Sequence, residues 1–184
     1  MAMAVPLEIV TERLRMTRIG EQHLDDLVEL DADPEVMRYI SDGLPNSRQT
    51  YVDELLPRMA AYTDQPYGYL AAYERDQDQQ QDQDRFVGWF HLRPSVADEQ
   101  VLELGYRLRR DAWGRGLATE GGRALVRYAF ETLDQAQVDA CADPRNAASI
   151  RVLVKCGMRK VGSFVHPQVP IEVVRYLVER GPGT

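Results

Sequence analysis

The sequence predicts an α+β fold, in which a mixed, mostly antiparallel sheet of about seven strands is flanked by helices. Two observations lead to this prediction. Apolar residues switch between alternating and helical spacing along the chain, and three consecutive strand-like segments in the middle have no helix between them. The 184 residues, of which 44% are hydrophobic, are enough for one core, so a single domain over residues 1–184 is expected.

The first third of the chain predicts one strand and three helices. "TERLRMTRI" alternates as a strand does, and "EQHLDDLVEL" has helical spacing. In "DPEVMRYI", Asp33 is the expected N-cap before Pro34. In "NSRQTYVDELLPRMAAY", Asn46 and Gln49 have the spacing of a capping box, and Pro57 is expected to kink or break the helix.

The middle of the chain predicts three strands, in "YGYLAAYER", "RFVGWFHLR" and "VLELGYRLR". Between the first two, residues 76–84 read "DQDQQQDQD" and offer no apolar side chain for burial. They are expected to form a solvated hairpin tip that tolerates replacement.

The last third predicts a helix from about Leu117 to Thr132, a short strand in "AQVDACA", and a helix in "NAASIRVLVKCG" that ends at Gly157. Two strands, "MRKVGSFVH" and "IEVVRYLVE", then surround "PQVP".

Charge and composition exclude several classes of protein. With 22 Lys and Arg against 29 Asp and Glu, the net charge of −7 disfavours a nucleic-acid partner. The three His and two Cys form no metal-binding spacing, so no metal is expected. No apolar run reaches about 18 residues, and the N-terminus lacks the apolar core of a signal peptide. A cytoplasmic protein with reduced Cys141 and Cys156 is therefore expected.

Residues 110–120, "RDAWGRGLATE", place small residues where a helix begins: Gly114, Gly116 and Ala118. The first N–H groups of a helix have no internal partner, and small side chains would let a pyrophosphate approach them. Arg115 could add a contact to phosphate. A tight turn with close helix–sheet packing is the alternative. The stretch lacks the Lys of a P-loop and the third Gly of a dinucleotide fingerprint.

Two stretches together, "LGYRLRRDAWGRGLATEGGRALVRYAF" and "NAASIRVLVKCGM", resemble the GNAT family of N-acetyltransferases, and its RimJ/RimL-like branch in particular. The resemblance extends over nearly the whole chain. The family's acetyl-CoA motif falls on residues 113–118. Trp113 departs from the Gln or Arg usual there in the family but matches the RimJ/RimL-like branch.

The resemblance implies acetyl-CoA as co-substrate, no metal, and direct acetyl transfer to the primary amine of a protein N-terminus or small molecule, by a monomer or homodimer. A non-catalytic regulatory module that binds acetyl-CoA is the alternative. The residues implied for coenzyme binding are Leu108, Trp113, Gly114, Arg115, Gly116, Leu117, Ala118, Thr119, Asn146 and Ser149.

The resemblance also implies a splayed central strand pair, with a bulge that Gly105 could permit in "LELGYRLR". Backbone N–H groups from about Tyr106 to Leu108 would then bind the thioester carbonyl. Leu153 occupies the position where many relatives carry a Tyr acid, so Ser149 is the expected partner of the leaving thiolate.

The general base stays open among Glu103, His91 and Glu172, and Glu103 and Tyr106 join Ser149 as candidate catalytic residues. Glu103, Asp42 and Glu172 could hold an ammonium group, which leads us to expect a cationic primary amine as acceptor. Three strand aromatics could line the acceptor pocket, although core packing is the favoured interpretation: Tyr69, Trp89 and Phe90.

Overall fold

The computed structural model describes residues 6–75, 84–167 and 171–181. Over these residues the chain forms an α+β fold with one sheet of eight strands, in the order β1-β2-β3-β4-β5-β6-β8-β7. The eighth strand arises because the N-terminal segment forms two short strands instead of one. The strands are β1 Glu8–Val10, β2 Leu14–Arg18, β3 Gly68–Glu74, β4 Arg85–Pro94, β5 Leu102–Leu108, β6 Gln137–Ala142, β7 Arg159–Val165 and β8 Glu172–Glu179.

The parallel pair β5–β6 interrupts an otherwise antiparallel sheet. β5 pairs with β4 along its whole length, but it pairs with β6 only at Leu102–Val138 and Glu103–Asp139. Beyond this point the two strands diverge. We call the gap between the rest of β5 and the rest of β6 the fork. It confirms the expected splayed pair.

Helices cover both faces of the sheet: α1 Leu24–Ala32, α2 Pro34–Met37, α3 Arg48–Thr50, α4 Leu56–Ala60, α5 Leu117–Glu131 and α6 Ala147–Lys155. One core lies between the sheet and helices α5 and α6, where Leu104, Leu125 and Leu153 are buried. A second core lies against α1 and α4 on the opposite face and contains Leu27 and Leu56. We call these the α5 face and the α1 face. Among the described residues, none of the helices combines the length and apolar character that crossing a bilayer requires.

One expected cap is confirmed and one is wrong. Asp33 caps α2 by accepting a hydrogen bond from the Glu35 N–H at 2.9 Å. The cap of α3 is Ser47, whose Oγ accepts from the Thr50 N–H at 3.0 Å, and not Asn46. The Asn46 side chain is directed elsewhere, where its Nδ2 donates to the Asp31 Oδ2 at 2.7 Å.

Pro57 does not break the helical segment that contains it. Residues Tyr51–Leu55 form a π-helical turn, and α4 follows directly with Pro57 in its first turn. Because residues 48–60 are helical without interruption, Pro57 lies inside this segment, where it removes one helical hydrogen bond. The π-helical turn directly before it is the irregularity that accompanies this proline.

The prediction of a bulge at Gly105 is wrong, because the register between β5 and β4 is regular throughout. Gly105 instead permits close packing: a Cβ added there would lie 2.4 Å from the His91 ring. The bulge lies in the neighbouring strand pair, where the register of β3 on β4 shifts between Ala72 and Tyr73. Gly88 adjoins this shift and has a φ of 137°.

Strands β3 and β4 pair antiparallel, as the expected hairpin requires. The expected hairpin tip lies outside the described residues except for Asp84, whose Oδ2 accepts from the Arg15 Nε at 2.7 Å. Residues 168–170 of the last expected turn also lie outside them.

Gly88→Ala should destabilise the protein strongly. The added Cβ would lie 2.1 Å from the Arg107 carbonyl oxygen, at a φ that alanine rarely adopts. We expect a loss of about 3 kcal/mol or more in the free energy of unfolding, measured by urea denaturation. Gly162→Ala is the matched control, because a Cβ there meets nothing within 4 Å. Equal midpoints for the two variants would contradict this account of β4.

Candidate active site

The turn between β5 and α5 has left-handed backbone at both glycines. Gly114 has a φ of 72° and Gly116, the N-cap of α5, a φ of 83°. A Cβ at Gly114 would meet nothing within 4 Å, and one at Gly116 would meet only the Arg13 Nη2 at 3.5 Å. The glycines therefore permit the conformation and also leave the outer side of the turn open.

Helix α5 begins with N–H groups directed at this turn. The Glu120 N–H makes the first helical hydrogen bond, to the Gly116 carbonyl at 3.0 Å. The N–H groups of Leu117, Ala118 and Thr119 precede that bond and have no partner within the helix. The Leu117 side chain is buried in the core and fixes the helix on the sheet. This arrangement suits an anion, because the helix dipole adds partial positive charge at the same place.

Glu120 ties the turn to the N-terminal strands. Its Oε1 accepts from the Thr11 hydroxyl at 2.6 Å and the Arg13 N–H at 2.8 Å. Its Oε2 accepts from the Arg13 Nε at 2.7 Å, and the Arg13 Nη1 donates to the Arg115 carbonyl at 2.9 Å. We call Thr11, Arg13 and Glu120 the latch. Desolvation alone would raise the pKa of Glu120, but the hydrogen bonds from Thr11 and Arg13 hold it below its usual value.

The guanidinium of Arg115 is engaged with a carboxylate. Both of its terminal nitrogens bind Glu74, with the Nη1 at 2.9 Å from Oε2. Glu74 also accepts from Arg85 at 2.9 Å. A contact between Arg115 and phosphate stays a prediction, and it would require sharing or breaking this pair.

The carboxyl end of β5 directs backbone donors into the fork. The Arg109 N–H donates to the Val87 carbonyl at 2.9 Å, which continues the β4 ladder. Because hydrogen-bonding direction alternates along an antiparallel strand, the N–H groups of Tyr106 and Leu108 point away from β4. The Leu108 carbonyl also points that way, since it accepts from the Trp113 indole at 2.8 Å. These N–H groups are the donors that the sequence predicts for the thioester carbonyl.

Two hydroxyl groups meet beside these donors on the α5 face. The Tyr106 hydroxyl lies 2.9 Å from the Ser149 Oγ and 3.2 Å from the Ser149 carbonyl. Asn146 caps α6 and positions its first turn, because its Oδ1 accepts from the Ser149 N–H at 3.1 Å. Burial raises the pKa of Tyr106, so its hydroxyl stays protonated. The position of the usual Tyr acid holds Leu153, a buried core residue.

Glu103 lies on the other face of the sheet, because side chains alternate along β5. Its Oε1 accepts from the Arg93 Nη2 at 2.9 Å and lies 3.5 Å from the His91 Nε2. Desolvation would raise the pKa of Glu103, but the His91 ring at 3.5 Å and the Arg93 charge lower it overall. Burial lowers the pKa of His91. The sheet therefore separates Glu103 from Tyr106 and Ser149.

The remaining predicted site residues are spread more widely. The Glu172 Oε1 accepts from the Ser163 hydroxyl at 2.8 Å on the exposed end of β8, and Asp42 lies in an exposed loop. Within the described ranges, no three His, Cys, Asp or Glu side chains form a metal-binding group. The three strand aromatics are buried, which supports core packing: Tyr69, Trp89 and Phe90.

The two cysteines are free thiols. Burial raises the pKa of Cys141 to about 12 and that of Cys156 to about 11. Both thiols therefore stay protonated, and neither has the thiolate character of a nucleophile.

Sequence reasoning missed Asp139, which pairs with Glu103 at the last rung before the fork. Its Oδ2 accepts from the Ser95 hydroxyl at 2.9 Å and the Arg175 Nε at 2.8 Å. The available signal was a carboxylate at the centre of the short strand "QVDACA".

Comparisons with known proteins identify the family. The model of the acetyltransferase (GNAT) domain matches residues 13–159. The FsC-acetyl coenzyme A-N(2)-transacetylase of Aspergillus fumigatus is 31% identical over 184 residues, covering 92% of this chain and 75% of that protein. The Bacillus subtilis protein YkkB is 33% identical over 153 residues, covering 82% and 84%.

Solved structures share the fold. An acetyltransferase of the GNAT family from Bacillus anthracis superposes with a TM-score of 0.73 at 21% identity, covering 94% of this chain and 98% of that one. The aminoglycoside acetyltransferase AAC(6')-Ib in complex with coenzyme A gives a TM-score of 0.71 at 18% identity, covering 91% and 94%. The chain therefore belongs to the GNAT family of acetyl-CoA-dependent acetyltransferases.

Proposed function

We propose that this protein, as one GNAT-like domain of the RimJ/RimL-like branch, transfers acetyl from acetyl-CoA directly to a primary amine. The fork carries the proposal. The N–H groups of Tyr106 and Leu108 point into this gap. The glycine turn adjoins one end of the gap, and the Tyr106–Ser149 hydroxyl pair lies beside it on the α5 face.

The coenzyme would bind at the start of α5. The N–H groups of Leu117, Ala118 and Thr119 are suited to the pyrophosphate, and the open outer side of Gly114 and Gly116 allows it to approach. Asn146 and Ser149 at the start of α6 would contact the pantetheine arm across the fork. Acetyl-CoA supplies the activated acyl group, and the chain supplies orientation and charge.

The backbone donors in the fork would stabilise the oxyanion that forms when the amine attacks the thioester carbonyl. Donors aimed at a developing charge are among the largest contributions to catalysis. As the carbon–sulfur bond breaks, the Ser149 hydroxyl would protonate the thiolate, and the Tyr106 hydroxyl at 2.9 Å would replace the proton. Burial keeps the Tyr106 hydroxyl in the neutral form that this role requires.

The acceptor would enter from the α1 face, where Glu103 is held as a carboxylate by Arg93. Glu103 would attract an ammonium group toward the fork. A cationic primary amine, from a protein N-terminus or a small molecule, fits this charge and the net charge of −7. One structural relative, AAC(6')-Ib, has been solved with paromomycin and acetyl-CoA, at a TM-score of 0.74 and 17% identity.

A panel of amines tests this function. The purified protein would be incubated with acetyl-CoA and with peptides, polyamines, amino sugars or neutral amines. Release of free CoA and product mass would be measured at two salt concentrations. We expect acetylated cationic amines and a second-order rate constant that falls with added salt. Acetyl-CoA binding without CoA release across the panel would indicate the regulatory module instead.

Gly116→Asp should abolish acetyl-CoA binding measured by calorimetry, because it places a carboxylate where the pyrophosphate is expected. Gly116→Asn is the matched control. The Asn side chain is nearly the same size as that of Asp. Both residues tolerate the left-handed backbone at this position, with its φ of 83°, better than most residues do. We expect Asn to weaken binding far less than Asp. Equal affinities would argue against an anion at this turn.

Glu120→Gln should weaken acetyl-CoA binding about tenfold, because neutral Gln holds Thr11 and Arg13 less tightly and releases the glycine turn. The dissociation constant would be measured by calorimetry. Glu179→Gln is the matched control, since it removes the same charge from an exposed pair with Arg159 at 3.0 Å. An unchanged affinity in folded Glu120→Gln would show that the latch does not position the turn.

Ser149→Ala should lower kcat about 100-fold and weaken acetyl-CoA binding far less, because the thiolate forms only during the reaction. Tyr106→Phe should lower kcat less, since it removes only the second hydroxyl. Turnover at the parent rate in Ser149→Ala would remove this residue from the proposed mechanism.

A further inference from the structure

Asp139 lies at the base of the fork. It is the last residue of β6 that pairs with β5, opposite Glu103, and it is 1% exposed. Paired residues of parallel strands direct their side chains to the same face. Asp139 therefore shares the α1 face with Glu103, where the acceptor amine is expected.

The two carboxylate oxygens of Asp139 have different environments. Oδ2 accepts from the Ser95 hydroxyl at 2.9 Å and from the Arg175 Nε and Nη2, both at 2.8 Å. Oδ1 is buried and accepts from no donor among residues 6–75, 84–167 and 171–181. A buried carboxylate oxygen without a donor is costly, so a bound water molecule, an ion or a functional role must account for it.

Glu103 and Asp139 are not equivalent as bases. The nearby His91 ring, at 3.5 Å, and the Arg93 charge hold the pKa of Glu103 below its usual value, despite its burial. Burial raises the pKa of Asp139 to about 6, and the charge of Glu103 adds to this, against the hydrogen bonds from Ser95 and Arg175. A base whose pKa lies closer to the working pH is the more effective one.

The charged and titratable groups around Asp139 come from each neighbouring strand. Glu103 adjoins it on β5, Arg175 on β8 and Cys141 on β6. Behind Glu103 stand Arg93 and His91 of β4, and His166 after β7. Cys141 is a neutral thiol, and burial lowers the pKa values of both histidines.

We propose that Asp139 is the proton acceptor of the transfer, taking the proton of the acceptor ammonium on Oδ1, while Glu103 stays ionised and holds that ammonium in the fork. This rests on the proposed function. The strand rise puts Glu103, and Asp139 opposite it, about 10 Å from the level of Tyr106. One water molecule bridges only about 5–6 Å, so a chain of water molecules in the fork carries the proton to Asp139.

The step balances. The ammonium loses one proton to Asp139, which becomes a neutral carboxyl, and the free amine attacks the thioester carbon. The tetrahedral intermediate then expels the thiolate, which is protonated from the α5 face through Ser149. The nitrogen loses its second proton as the amide forms, and that proton restores the Ser149–Tyr106 hydroxyl pair. Asp139 returns its own proton to solvent.

The pH dependence of kcat, with acceptor saturating at every pH, tests the proposal. The parent protein should lose activity as pH falls through about 6, because protonated Asp139 accepts no proton. Asp139→Asn should lower kcat about 100-fold or more, and its residual activity should no longer fall as the pH drops through about 6. Ser95→Ala should stay active, but its activity should begin to fall at a higher pH than that of the parent, since losing this donor raises the pKa of Asp139. Asp134→Asn, from an exposed pair with Arg180, is the matched control and should behave as the parent.

A second measurement does not depend on turnover. In protein labelled with ¹³C at aspartate carboxyls, one resonance should titrate near pH 6, be absent from Asp139→Asn, and titrate higher in Ser95→Ala. Absence of that resonance would overturn the proposal, as would parent-like kcat in folded, acetyl-CoA-binding Asp139→Asn. A parent protein that acetylates no amine would instead refute the proposed function, while the titration still reports on Asp139.

Discussion

The site depends on the loss of pairing between β5 and β6 after Glu103 and Asp139. In a continuous sheet, every backbone N–H of a central strand has a partner, and none can serve a ligand. Here β4 holds β5 on one side along its whole length, so β5 remains rigid where β6 departs. Rigid backbone donors in a narrow gap are what oxyanion stabilisation requires, because they need no reorganisation during the reaction.

The alternation of side chains along β5 then divides the chemistry between two faces. Tyr106 points to the α5 face and meets Ser149, while Glu103 points to the α1 face and meets Arg93. The proposed acid for the thiolate and the proposed carboxylate for the ammonium are thereby kept apart. Each group therefore has its own surroundings and its own protonation state. Burial raises the pKa of the Tyr106 hydroxyl, whereas the neighbours of Glu103 lower the pKa of its carboxyl group.

The proposed coenzyme end of the site depends on a contact between distant parts of the sequence. Glu120, in the first turn of α5, binds Thr11 and Arg13 between β1 and β2, and Arg13 reaches the carbonyl of Arg115. The glycines alone would leave the turn flexible, because they have the greatest backbone freedom in the unfolded chain. Carboxylate and guanidinium groups make the strong, directional hydrogen bonds that can fix it.

The sequence by itself determined the order of elements after the N-terminal segment, the glycine turn and the helix start at Asn146, because these follow from local hydrophobic period, backbone freedom and capping. Predictions from local sequence were wrong where contacts with residues distant in the sequence determine the conformation. Gly105 was expected to permit a bulge, but it accommodates the His91 ring, and the bulge lies near Gly88 in the adjacent strand pair.

Only the tertiary structure decided which polar groups meet. Glu103 looked like a free base in the sequence, yet Arg93 binds it; Arg115 looked free for phosphate, yet Glu74 binds it. Asp139 drew no notice in a short strand, although burial and the nearby charge of Glu103 raise its pKa to about 6. Ion pairing and desolvation depend on distances between strands and helices, and the spacing of residues along one chain does not contain those distances.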